Sequence, residues 1–517
     1  MGDFPILSVL VALPLVGALV VPFLKGAVAK QAGIGVSVAT LVLAVVVAAQ
    51  YELDGGMQLT ETYDWIPAFG VHFALGVDGL GLLMVLLTAL LVPVVLLASW
   101  RETETAVDGN EQGSPTAFVA WTLALESLSL AVFLATDVFL FYLVFEATLI
   151  PAYFLIGGFG RAGRSAAALK FLMFQLAGGL ILLIGVIGLY VVSAQAGSPS
   201  YLLSDLMALD IETEAGRWLF VTFFIAFAIK APLFPVHTWL ADTTGKATPG
   251  TSVLLVCVLD KIGTFGMLRF CLGIFPEASQ WATPLVIVLA LVSIVYGAFV
   301  AIGQDDVMRL IGLTSLSHFG FIVLGIFVFS TQGGTGSILY MVNHGLGTAA
   351  LFLVAGYLVS RRGTASIREL GGQEKVTPVL AGLLLVAGLA TLGLPGLSPF
   401  ISEFLVIIAA FQYAWYVGAV AVTGIVLAAI YVLWMYQRTM TGPTADVVTR
   451  DQDLGVREIA AVAPLVAALV FFGFYPIPLM DAANPYVGDL LSHVGVTDDP
   501  PEVTAPAAAE TAEEGEY

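Results

Sequence analysis

Apolar and polar residues do not alternate along this chain. They run in blocks, apolar stretches of about 20 residues following one another from end to end with short polar turns between. At 1.5 Å of rise per residue, a helical stretch of that length crosses the roughly 30 Å hydrocarbon layer of a bilayer. The pattern predicts an all-α polytopic membrane protein with about 14 transmembrane helices. They start near Pro5, Ile34, Leu80, Ala117, Val138, Leu169, Trp218, Gly250, Ala282, Val307, Gly336, Val379, Val417 and Ile459. Two of these blocks, the seventh and the twelfth, are discontinuous. Ala231-Pro232-Leu233-Phe234-Pro235 interrupts one, and Leu394-Pro395-Gly396-Leu397-Ser398-Pro399 interrupts the other. Proline removes a backbone donor and clashes with the carbonyl four residues back. The polar groups freed in this way must face protein or water within a membrane, so each break marks a candidate hydrated cavity.

Composition agrees. Hydrophobic residues make up 59% of the chain, charged residues 11%, and the mean hydropathy is +0.97, whereas soluble domains carry about 25% charged residues. The first block, from Phe4 to Phe23, lacks a basic flank and a small-residue cleavage site, and reads as a retained helix. Of the 19 Lys and Arg, three lie within blocks (Lys230, Lys261, Arg269) and 15 in turns after odd-numbered blocks. Only Arg217 follows an even-numbered one. The positive-inside rule then places the odd-to-even turns in the cytoplasm and both termini on the outer side of the cell membrane. The net charge of −19 reflects acidic outer turns and an acidic tail, so it does not by itself mean a cationic substrate. Nothing basic and aromatic points to nucleic acid. Cys257 and Cys271 are too few for a redox cluster. Gly158-Phe159-Gly160-Arg161-Ala162-Gly163 matches a dinucleotide-loop spacing but follows a membrane helix rather than a strand.

The chemistry lies in the charges that the apolar blocks keep. A charge at the centre of a bilayer costs about 2.5–3.5 kcal/mol on insertion scales, so retained charges point to ion or proton movement. Glu146 precedes Lys230 by nearly the same interval as His318 precedes Glu403. This duplication predicts two five-helix repeats, inverted because five is odd, as in many transporters. The chain then divides into helices 1–3 (residues 1–116), a first repeat of helices 4–8 (117–275), a second of helices 9–13 (276–440), helix 14 (441–480) and an acidic, disordered tail (481–517). Lys230 is the expected partner of Glu146; a static packing pair is the alternative. Lys261 is a further candidate facing the same interior, with Asp260 beside it. Arg269 is expected to snorkel or to pair with a structural acid. His318 and His344, on consecutive helices, suit proton transfer in either direction. Glu126 is balanced between packing and relay, and His237 and Asp242 between gating and local bonding. No close His/Cys/Asp cluster suggests a metal.

Several stretches are distinctive together: Phe141-Tyr142-Leu143-Val144-Phe145-Glu146, Phe234-Pro235-Val236-His237-Thr238-Trp239, Leu316-Ser317-His318-Phe319-Gly320 and His344-Gly345-Leu346-Gly347. From about residue 70 to 480 the chain resembles the antiporter-like membrane subunits of respiratory complex I, the proton-pumping NADH:quinone oxidoreductase. Glu403, in Ser402-Glu403-Phe404, resembles the glutamate of the M branch, where relatives carry lysine. The resemblance implies a controlling Glu146–Lys230 pair, Lys261 as central relay, and His318, His344 and Glu403 continuing a hydrated axis. It implies no cofactor in this chain, with NADH, flavin, iron–sulfur clusters and quinone held by other subunits. The implied partners are neighbouring antiporter-like subunits. Asp260 departs from the pattern, since an apolar residue is common there. A cation/proton antiporter subunit and a membrane scaffold are the competing readings.

Overall fold

The computed structural model describes residues 4–53, 56–102, 112–197, 199–444 and 448–497. Among the described residues, twelve helices are long and apolar enough to cross a membrane. They are α1 (Ile6–Phe23), α2 (Gly26–Gln50), α3 (Gly79–Ala98), α4 (Pro115–Leu134), α5 (Val138–Gly158), α6 (Arg164–Gln195), α9 (Pro249–Leu272), α10 (Pro276–Ile302), α11 (Val307–Phe327), α12 (Thr331–Arg362), α15 (Trp415–Met440) and α16 (Val456–Phe474). Between them lie two broken apolar segments. The first is α7 (Thr213–Lys230) followed by the short α8 (Thr238–Thr244), and the second is α13 (Pro378–Thr391) followed by α14 (Ser398–Tyr413).

The helices are not equally placed. The apolar spans of α9, α11 and α12 are entirely buried inside the protein, whereas those of α1, α2, α6, α10, α15 and α16 are less than half buried. A helix enclosed by protein need not offer its side chains to hydrocarbon, so it can hold charge at membrane depth. Lys261 lies on α9, His318 on α11 and His344 on α12.

Both breaks are repaired by side chains. In the first, Trp239 Nε1 donates to the Ile229 carbonyl at 3.1 Å, and the Phe234 N–H reaches Ser293 Oγ at 3.0 Å. In the second, Asn343 Nδ2 donates to the Ser398 carbonyl at 3.0 Å and to Ser402 Oγ at 2.7 Å. A small cavity adjoins this second break, with Thr391 and Pro399 in its wall.

Three features depart from the expectations. An antiparallel hairpin, β1 (Gln58–Ile66) with β2 (Val71–Val77), interrupts the all-α pattern. Its Glu61 carboxylate accepts from the Leu7 and Ser8 N–H groups (2.7 and 3.0 Å), offsetting the positive end of α1. The stretch from residue 481, expected as disordered tail, is helical up to Val494: α17 (Ile477–Val494) buries Leu479, Ala482, Ala483, Tyr486, Val487, Leu490, Leu491 and Val494 at helical spacing. Acidic residues and Pro485 mask that stripe in the sequence. Residues 498–517 lie outside the described residues. Finally, α9 contains two wider π turns, Leu255–Leu259 and Met267–Leu272, flanking the α-helical turn that carries Lys261. Such turns often accompany functional sites.

Candidate functional site

Lys261 projects from the middle of α9 and is fully buried. Its Nζ lies 2.6 Å from His344 Nδ1, and 4.2 Å from the centre of the Phe319 ring. The His344 ring is 5.1 Å from that of His318, centre to centre, and 6.4 Å from that of Tyr340. Tyr340 donates its hydroxyl to Glu403 Oε1 at 2.5 Å. Tyr431 reaches His318 Nε2 at 3.4 Å. His318, Tyr340 and His344 share the wall of the cavity beside the second break. Four of the expected residues (Lys261, His344, His318, Glu403) are thus gathered into one cluster, connected by Tyr340 and supported by Tyr431.

Glu403 is accommodated by the break between α13 and α14. Gly393 adopts φ +74°, and its missing side chain leaves the space that Glu403 Oε2 occupies; a Cβ built there would come within 1.9 Å. A residue with a side chain would meet both backbone strain and the carboxylate.

Among the described residues, Lys230 and Glu146 form no hydrogen bond or ion pair with this cluster or with each other. Lys230 ends α7, buried, with Nζ 3.3 Å from Thr148 Oγ1 and 4.5 Å from the Phe145 ring centre. The expected direct ion pair with Glu146 is not formed, although each charge still acts on the other. Glu146 is only half-buried, and its Oε1 has no hydrogen-bond partner among the described residues. Its carboxylate lies against Gly179 of α6, where a Cβ would approach Oε1 to 1.8 Å. Asp260, fully enclosed, acts electrostatically on both Lys230 and Lys261 and is the acidic group between the two lysines.

The remaining candidates separate by role. Arg269 forms a buried, two-pronged ion pair with Asp78, Nη1 to Oδ2 and Nη2 to Oδ1, the latter at 2.7 Å, and so locks α9 to the start of α3. Asp242 is held by Lys170 at 2.6 Å and Arg309 at 2.5 Å. His237 packs between the Phe234 and Tyr296 rings. Glu126 is buried on α4 and neither of its oxygens has a hydrogen-bond partner among the described residues. Among those residues, no group of three or more His, Cys, Asp or Glu side chains could hold a metal ion.

Residues 135–428 match the family described as NADH:quinone oxidoreductase/Mrp antiporter, TM. The NADH-quinone oxidoreductase subunit M of Mycobacterium tuberculosis is 48% identical, over 98% of this chain and 98% of its own. The chain belongs to the subunit M family of NADH-quinone oxidoreductases. Among solved structures, a chain of respiratory complex I from Thermus thermophilus with bound NADH superposes with a TM-score of 0.86. The identity is 32%, covering 95% of this chain and 100% of that one. A chain of the Mrp complex from Dietzia superposes at a TM-score of 0.82 with 22% identity, over 94% of this chain and 99% of that one, which shows a shared fold. Members of the subunit M family are multi-pass membrane proteins, as the apolar helices here require.

Sequence reasoning did not single out Tyr340, Tyr431, Thr148 or Asn343. Tyr340 had a usable signal, because it lies four residues before His344 and therefore on the same helix face. Tyr431 lies in an apolar stretch, Ile430-Tyr431-Val432, that offers none.

Proposed function

We propose that this chain carries protons across the cell membrane as part of a proton-pumping NADH:quinone oxidoreductase. The route runs through Glu146, Lys230, Lys261, His344, His318 and Glu403. The observation that carries the reading is the 2.6 Å contact between Lys261 and His344, on two helices wholly enclosed by protein. A lysine ammonium and an imidazole in contact can exchange one proton without moving either helix, and burial makes the proton affinity of each respond to nearby charge. Electron transfer takes place in other subunits, which hold NADH, flavin, iron–sulfur clusters and quinone. Its energy reaches this chain as a change in the field and packing at Glu146. When Lys230 shifts between Thr148 and Glu146, its proton affinity changes, and Asp260 carries that change to Lys261. His344 and His318 then pass the proton toward Glu403 or the neighbouring subunit.

The same reading places both termini on the outer side, adjacent antiporter-like subunits against the flanks, and the two broken segments in inverted five-helix repeats within a 14-helix plan. The half-buried position of Glu146 favours a neighbouring subunit there, since a carboxylate facing lipid alone is costly. An independent cation/proton antiporter uses the same fold, but Glu403 in place of lysine favours the redox-driven complex.

Lys230→Ala tests this. NADH-driven proton uptake into inverted membrane vesicles should fall sharply while a native gel shows the complex assembled. Normal uptake in that variant would reduce the charges to packing.

A further inference from the structure

A second space lies near His318, separated from it by the Tyr431 side chain. A narrow surface cleft lies between the ends of α10, α11 and α15, walled by Ile302, Leu310, Trp434 and Met435, with Gln304 and Arg438 in its lining. It lies on the face where the basic residues gather: Arg309 Nε donates to Gln304 Oε1 at 3.3 Å, and Arg161 pairs with nearby Asp306 at 2.7 Å. The Arg438 guanidinium stacks over Trp434 at 4.2 Å. Tyr431 also lines this cleft. Its side chain is buried, and its hydroxyl is the group that approaches His318 Nε2. His318 in turn lines the inner cavity. Two side chains in contact therefore separate a polar-rimmed cleft on the basic face from the enclosed cluster.

A phenol suits that position. Its oxygen accepts one hydrogen bond while its proton is donated in another, so it can relay a proton without ever being ionised. The 3.4 Å separation is at the long end of hydrogen-bond reach, so a small approach of the two rings makes or breaks the step.

We propose that Tyr431 admits protons from the basic-face cleft to His318, giving the enclosed line an entrance in the second half of the molecule. A protonated water in the cleft adds its proton to the Tyr431 oxygen as the hydroxyl's own proton passes to the unprotonated Nε2 of His318. Tyrosine ends neutral, histidine gains one positive charge and the cleft loses one. The inference rests on the proton-carrying reading above, which Lys230→Ala tests independently of the cleft.

The test uses the assembled complex in inverted vesicles carrying Gln304→Cys, a partly exposed position of the cleft lining, treated in parallel with a small charged methanethiosulfonate and with the membrane-permeant N-ethylmaleimide. The chain's own Cys257 and Cys271 are buried, and modification is read as a mass shift of this chain. If the cleft conducts, the charged reagent labels Gln304→Cys, and NADH-driven proton uptake drops several-fold relative to the same vesicles before labelling. Tyr431→Phe, which keeps the ring and removes the hydroxyl, should lower uptake to a similar degree with the complex intact. Labelling by the maleimide alone shows a lipid-filled cleft and overturns the proposal, as does labelling that leaves uptake unchanged. A defect in Tyr431→Phe without an effect of labelling assigns Tyr431 to positioning His318 and also overturns it. If Lys230→Ala loses uptake while the labelled protein and Tyr431→Phe pump normally, only this entrance fails; if Lys230→Ala pumps normally, the wider reading fails first.

Discussion

The two halves of the molecule hold their charges by different means. In the first, Glu146 is pressed against the bare backbone of Gly179, and Lys230 rests on the Phe145 ring with a single hydroxyl for company. In the second, Glu403 accepts a short hydrogen bond from Tyr340, His318 faces both Tyr431 and His344, and the group surrounds an internal cavity. The first arrangement is set by shape and leaves its carboxylate partly open; the second is set by donors and acceptors and is closed. A signal from a neighbouring subunit would more readily alter the first. Proton transfer needs the continuity of the second. Lys261, in contact with His344 and under the influence of Asp260, is where the two halves meet.

This contrast can be broken from either end. The larger effect is expected in the hydrogen-bonded half. Tyr340→Phe removes the donor to Glu403 in a buried site, and an unsatisfied buried carboxylate costs about 1–3 kcal/mol or more. The rate of NADH-driven proton uptake should fall roughly tenfold, the rate equivalent of about 1.4 kcal/mol, with assembly retained. An unaltered rate would mean that the Tyr340–Glu403 bond is not on the route. A smaller, several-fold loss is expected from Gly179→Ala, because the added methyl displaces the Glu146 carboxylate without touching any hydrogen bond. If Gly179→Ala pumps normally, the position of Glu146 is not set by shape, and the contrast between the halves dissolves.

Much of the scaffold was legible in the sequence because its signals are strong and local. The apolar blocks, the proline breaks and the isolated charges each depend on a few neighbouring residues; twelve spanning helices and both interruptions appear among the described residues. Features that depend on partners distant in the chain were not legible. The β1–β2 hairpin sits in a polar turn and earns its place by capping α1 with Glu61. The apolar stripe of α17 is diluted by Asp481, Pro485 and Asp489. For the site, residue types could be named but their pairings could not. Arg269 finds Asp78 and Lys261 finds His344 across intervals that no spacing rule covers. Lys230 and Glu146, whose spacing drew attention first, stand apart. Tyr431 was invisible because a tyrosine among apolar residues carries no signal until its hydroxyl is seen against a histidine.

The measurement that reaches the central claim most directly is the ratio of protons taken up to NADH oxidised, in inverted vesicles carrying Lys261→Ala, with assembly verified on a native gel. Lys261 is fully buried, so its loss removes the junction between the halves while leaving both outer ends in place. The account predicts an assembled complex whose ratio falls or whose turnover stalls because protons no longer cross this chain. An assembled complex with normal turnover and an unchanged ratio would contradict it.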